Sequence, residues 1–151
     1  MRRDEIRYRT VTTKNYAIQI PEGWEMGEET PFGQREMSPK AGKGQLTSMT
    51  GPGLGKQSWE QLYRTSLYFI LREQPAGSMS ATRPVMGRSK QGFEAASWSM
   101  LDRKKTVVAR YVVLKSKADN ILALSVKIPE GADRTQLEAI FERLVSTAIV
   151  K

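Results

Sequence analysis

Residues 92–128, GFEAASWSMLDRKKTVVARYVVLKSKADNILALSVKI, contain three strand-like runs separated by two short polar turns. The third run sets the pattern. Leu122, Leu124, Val126 and Ile128 alternate with Ala123, Ser125 and Lys127, the period of two that a strand imposes on its faces. Strands are expected at Gly92–Leu101, Thr106–Ser116 and Asn120–Ile128. The turns Asp102-Arg103-Lys104-Lys105 and Lys117-Ala118-Asp119-Asn120 are too short for a crossover, so the strands must run antiparallel as a meander.

Downstream, Pro129-Glu130-Gly131 closes the meander, and Asp133 with Gln136 fits a capping box. Leu137, Ile140, Phe141, Leu144, Val145, Ala148 and Ile149 then recur at helical spacing, with Glu138, Glu142 and Arg143 off that stripe. A C-terminal helix laid against the sheet is expected. Upstream, Tyr16-Ala17-Ile18-Gln19-Ile20 alternates like a half-buried strand and stops at Pro21-Glu22-Gly23, after which Trp24 is expected to fold back onto the core. Shorter extended segments are expected at Phe32–Met37 and Gln45–Thr50, on either side of the loop Ser38–Gly44. Ser58–Glu73 reads as a helix with a Ser58/Gln61 capping box and an inner face of Trp59, Leu62, Tyr63, Ser66, Phe69 and Ile70, ended by Pro75 and Gly77. A further strand is expected near Ala81–Met86.

No repeat, low-complexity tract or linker divides the 151 residues. The chain therefore reads as one domain, 1–151, with its core at about 16–150. The expected fold class is α+β: a mainly antiparallel sheet with the C-terminal helix packed on it. No stretch approaches the roughly 20 apolar residues of a membrane-spanning helix. The basic opening Met1–Arg7 leads into no apolar signal core. An exported or periplasmic location, with a leader upstream of Met1, is favoured over a cytoplasmic one.

The glycines of Thr50–Lys56, TGPGLGK, stand just before a helix and invite a nucleotide-binding reading. A phosphate loop needs four residues between its glycines and a hydroxyl residue after the lysine, so that backbone N–H groups wrap the phosphates and the hydroxyl holds magnesium. Here only three residues separate Gly51 from Gly55, and Gln57 follows Lys56. A plain loop before a capped helix is the expectation, with Lys56 left as a candidate contact for an anion at the helix start.

The chain has no histidine and no cysteine. Imidazole bases, the Ser-His-Asp arrangement, thiolate nucleophiles and imidazole or thiolate metal ligands are thereby excluded. Glu22, Glu25, Glu28 and Glu29 cluster after the first strand, but without the ligand spacing of a calcium loop. No catalytic residue, metal site or cofactor is expected.

Lys and Arg outnumber Asp and Glu by 24 to 16, and residues 31–117 carry 15 bases against five acids. Such a bias favours an anionic partner: nucleic acid, phospholipid headgroups or an acidic protein face, unless it is simply a solvated basic surface. Arg103, Lys104, Lys105 and Arg110, with Lys115 and Lys117 nearby, are expected to form a basic stripe. The candidate anion- or partner-binding residues are thus Lys56, Arg103, Lys104, Lys105 and Arg110. Nucleic acid is disfavoured, because Trp98 and Tyr111 are the only aromatics of the meander after Phe93 and are expected to face the core.

The order of landmarks resembles the PsbP/DcrB-like superfamily, which includes photosystem II PsbP-like proteins, bacterial exported lipoproteins and the Eag-type chaperones of type VI secretion effectors. Tyr16–Trp24 is similar to its strand-Pro-x-Gly-Trp opening, Gly92-Phe93-Glu94-Ala95 to its entry into the meander, and Asn120–Pro129 to its last strand. Leu137–Ile149 is similar to its closing helix. The resemblance implies an α/β/α sandwich around an antiparallel sheet, and a bacterial, non-enzymatic interaction or accessory domain with a protein partner. It implies one alternative, an Eag-like chaperone whose sheet holds an apolar segment of an effector; the basic surface leaves a second, anion or nucleic-acid binding. It carries over no site residues.

Overall fold

A computed structural model of the chain describes residues 6–51 and 53–151, and Met1–Glu5, most of the basic opening Met1–Arg7, lies outside them. The meander is as the sequence dictates: β8 (Glu94–Leu101), β9 (Val107–Lys115) and β10 (Ile121–Lys127) pair antiparallel in order. Seven strands precede it, of which the first four are β1 (Tyr8–Thr12), β2 (Tyr16–Pro21), β3 (Trp24–Met26) and β4 (Gln34–Pro39). Next come β5 (Gln45–Gly51), the helix α1 (Trp59–Arg72) and the short strands β6 (Ser80–Ala81) and β7 (Val85–Arg88). The chain closes with α2 (Arg134–Thr147) and β11 (Ile149–Val150).

The large sheet runs β3-β4-β5-β10-β9-β8-β6, with β7 also on β8, and a small sheet runs β1-β2-β11; every strand pair is antiparallel. The two sides of the large sheet bury separate cores because a strand sends alternate side chains to opposite faces. On one side Leu46, Val112, Leu114, Leu122, Leu124 and Val126 pack with Leu137, Ile140, Phe141 and Leu144 of α2 and with Tyr16, Ile18 and Ile20 of β2. On the other, Trp98, Met100, Ala109, Val113 and Ile121 pack with Leu62 of α1, flanked by Trp59, Tyr63, Leu67 and Ile70. Helix, sheet and helix make an α/β/α sandwich.

Both helices begin where the caps predict. Ser58 and Gln61 form the full capping box. At α2 only the forward half exists, in which the Gln136 N–H donates to Asp133 Oδ1 at 3.0 Å. Four sequence expectations are corrected. The α2 stripe ends at Thr147: Ala148 leaves the helix extended, and Ile149, 37% exposed, belongs to a strand that pairs with Ala17 of β2. Within α1, Phe69 faces outward, 53% exposed, and Leu67 packs inward instead. The strand expected at Ala81–Met86 is two, broken before β7 at Thr82–Pro84, where Pro84 lacks a donor for the ladder. The strand expected at Phe32–Met37 begins at Gln34, and Phe32 stands in the preceding turn, 85% exposed.

The glycine loop resolves as a structural device. Gly53 takes a left-handed backbone (φ 76°) and leads into one 3-10 turn, Leu54–Lys56. The Gly55 N–H donates to the Asp119 carbonyl at 2.8 Å, and the Gly53 N–H donates to Asn120 Oδ1 at 3.1 Å. A Cβ on Gly55 would lie 2.6–2.8 Å from the Asp119 backbone, so only glycine permits this approach. The N–H groups of Gly53 and Gly55 are therefore spent on the β9–β10 turn.

Candidate functional site

The β8–β9 turn begins at Asp102, whose Oδ1 accepts the N–H groups of Lys104 and Thr106, both at 2.9 Å. The same residue's backbone pairs with Thr106, and Lys105 takes the left-handed conformation (φ 66°) that the tight reversal needs. Asp102 is thus committed to the backbone, while Arg103, Lys104 and Lys105 project exposed from the turn.

Beside this turn lies an open groove of about 770 Å³. Arg103 and Lys104 of the turn line it together with Arg134 of α2 and the Pro129–Ala132 loop, and Val108 and Ile128 supply apolar lining. Pro75 and Ser78, just beyond α1, complete the rim. Three cations from two separate elements so converge on one depression, with Asp102 and Glu130 as the acids of its lining. Arg134 escaped the sequence reading, although a signal existed. It occupies the first position of α2, where the helix dipole disfavours a cation.

The five residues singled out from sequence do not form one site. Arg103, Lys104 and Lys105 share the turn. Arg110 points to the α2 side of the sheet, half-buried, with its guanidinium carbon 5.8 Å from the Phe141 ring centroid. Lys115, expected on the same stripe, is five residues away along β9, so by parity it faces the other side. There its Nζ donates to the Gln57 carbonyl at 2.8 Å and lies 4.4 Å from the Trp59 ring centroid. Lys56 is exposed beside the β9–β10 turn, at the opposite end of β9 from Arg103, roughly 30 Å away along a nine-residue strand.

The aromatics of the meander are core, as expected. Trp98 is 5% exposed, stacked on Tyr111 with 5.6 Å between centroids and edge-on to Tyr63 at 5.1 Å. Burial pushes the Tyr111 phenol above its ordinary value. Where α1 does not cover it, the sheet over β4, β5 and β10 presents Gln34, Glu36, Gln45, Thr47, Met49, Ser125 and Lys127, with Thr47 and Ser125 hydrogen-bonded across the strands. That area is polar. Among the described residues, no group of three or more acids is placed to hold a metal ion, the Glu22–Glu29 cluster included.

A seven-strand antiparallel path flanked by one helix per face, with a small sheet closing the C-terminal side, is the Mog1/PsbP fold. The chain superposes on the Ran-binding protein Mog1p of Saccharomyces cerevisiae with a TM-score of 0.63 at 8% identity, over 97% of this chain and 96% of that one. It superposes on the cyanobacterial PsbP (CyanoP) of Synechocystis with a TM-score of 0.65 at 13% identity, over 97% and 92%. A Mog1 point mutant gives 0.57 at 10% identity, over 93% and 87%. No sequence-family profile matches the chain, and no curated protein matches it by sequence. The likeness is one of fold, and it agrees with the landmark resemblance read from Tyr16–Trp24 and the meander.

Proposed function

We propose that this chain is a non-catalytic docking domain that binds an acidic face of a partner protein through the groove beside the β8–β9 turn. The observation that carries the reading is the convergence of Arg103, Lys104 and Arg134 on a depression lined by Val108, Ile128 and Pro129. Cations around an apolar floor suit a protein surface, which offers both carboxylates and side-chain bulk. No aromatic residue lines the groove, so it lacks the stacking platform that single-stranded nucleic acid uses. The absence of histidine and cysteine removes the commonest catalytic groups. That a protein of the same fold is a Ran-binding protein is consistent with a protein partner.

The chaperone alternative draws less support. An apolar effector segment laid on the open part of the sheet would meet Gln34, Glu36, Thr47 and Lys127 and leave them without water.

The test is affinity capture from the native extract with the wild-type chain, the triple reversal R103E/K104E/R134E and the distant reversal K56E. A protein retained by the wild type and by K56E, lost from the triple variant and released by salt supports the reading. Equal retention by all three contradicts it.

A further inference from the structure

Strand β7 is an open edge. All four of its residues are exposed, Val85 by 67% and Met86 by 50%, and its pairing is with β8 alone. The Ser89 N–H donates to the Phe93 carbonyl at 2.9 Å, which makes 89 and 93 a hydrogen-bonded pair. Along the register Arg88↔Glu94, Gly87↔Ala95, Met86↔Ala96, Val85↔Ser97, such pairs alternate with non-bonded ones. Val85 and Gly87 therefore turn their backbone groups toward β8, and Met86 and Arg88 present theirs outward. Among the described residues, nothing pairs with those outward groups.

The charge around this edge has one sign. From Gln74 to Phe93 there is no Asp or Glu, and Arg83, Arg88 and Lys90 flank the strand, all exposed. Glu94 stands opposite Arg88 in the register, but no ion pair joins them. Self-pairing of two copies would crowd two sets of Arg83, Arg88 and Lys90 along one edge, which like-charge repulsion opposes.

We propose that β7 is a second binding site, independent of the groove, which accepts an extended acidic segment of a partner protein as an added strand. Main-chain hydrogen bonds to Met86 and Arg88 hold the segment, Val85 and Met86 contact its side chains on opposite faces of the sheet, and Arg83, Arg88 and Lys90 select acids.

The probe is a capped eight-residue peptide alternating glutamate and valine, titrated into the isotopically labelled chain and followed by backbone amide shifts. Saturable shifts and slowed hydrogen exchange at the Met86 and Arg88 amides are expected. Met86→Pro removes one outward N–H without touching the β7–β8 ladder and should weaken binding roughly fivefold or more. A peptide N-methylated at alternate residues should lose binding likewise, and R83E/R88E guards against a proline variant that misfolds. The proposal is overturned if no saturable change occurs at those amides, if the N-methylated peptide binds equally well, or if sedimentation shows that β7 instead joins two copies of this chain.

Discussion

The hydroxyls of Tyr16 and Ser48 lie 3.0 Å apart inside the core, joining the small sheet to the large one across their interface. Tyr16 is 2% exposed and Ser48 0%, so neither hydroxyl has water to fall back on. Replacing Tyr16 by Phe strands the serine hydroxyl and should cost about 1–3 kcal/mol. Ser48→Ala strands the phenol at a similar cost. The double variant Y16F/S48A removes both polar groups and should be more stable than the sum of the single losses predicts, a coupling that urea unfolding of the four proteins measures.

Gly55 should tolerate no side chain. Its Cβ would meet the Asp119 backbone rather than a movable side-chain tip, so Gly55→Ala should destabilise the chain by about 1–3 kcal/mol. Thermal unfolding of this variant beside Gly53→Ala separates the two causes. At Gly53 the space around the Cβ is empty, and only the left-handed backbone is strained.

The cap of α1 rests on two separate bonds. Ser58→Ala should lose about 1 kcal/mol, and Gln61→Ala should cost a further loss on top of it, because Gln61 Oε1 accepts from the backbone N–H of residue 58, which Ser58→Ala leaves in place. Denaturant midpoints of the single and double variants give the answer.

Alkaline pH should weaken the fold through Tyr111. Its phenol titrates above the ordinary 10.0 because burial penalises the phenolate. Between the unfolded and folded values the native chain holds a proton that the unfolded chain has released. Stability is therefore full below about pH 10 and falls as the pH rises through the folded value. Tyr111→Phe should flatten part of this alkaline loss; Tyr8 and Tyr63, raised by burial as well, act in the same direction.

Period and punctuation made most of the fold legible before any coordinates. Leu122-x-Leu124-x-Val126 declares a strand, the short turns force antiparallel order, and Ser58 and Asp133 mark where the helices start. The misses share a cause: they lie where tertiary contacts override local pattern. Ile149 continues a helical stripe in sequence, yet β2 offers it a strand partner. Tyr8–Thr12 carries no strong alternation and becomes a strand because β2 has a free edge. The candidate groove was half legible. Arg103, Lys104 and Lys105 are adjacent in sequence, so their clustering was certain. Arg134 meets them only because the strand order brings the start of α2 beside the β8–β9 turn, and Arg110 stands apart because it lies within β9, over Phe141, and not in the turn.

The most direct test of a basic docking groove is an amide-shift titration of the labelled chain with polyglutamate, alongside a single-stranded oligothymidylate of matching charge. The account predicts that polyglutamate moves the amides of Arg103–Thr106 and Ala132–Arg134, that R103E/K104E/R134E abolishes the response, and that the oligonucleotide binds more weakly. A response centred on Lys56, or tighter and local binding of the oligonucleotide in the groove, would contradict it.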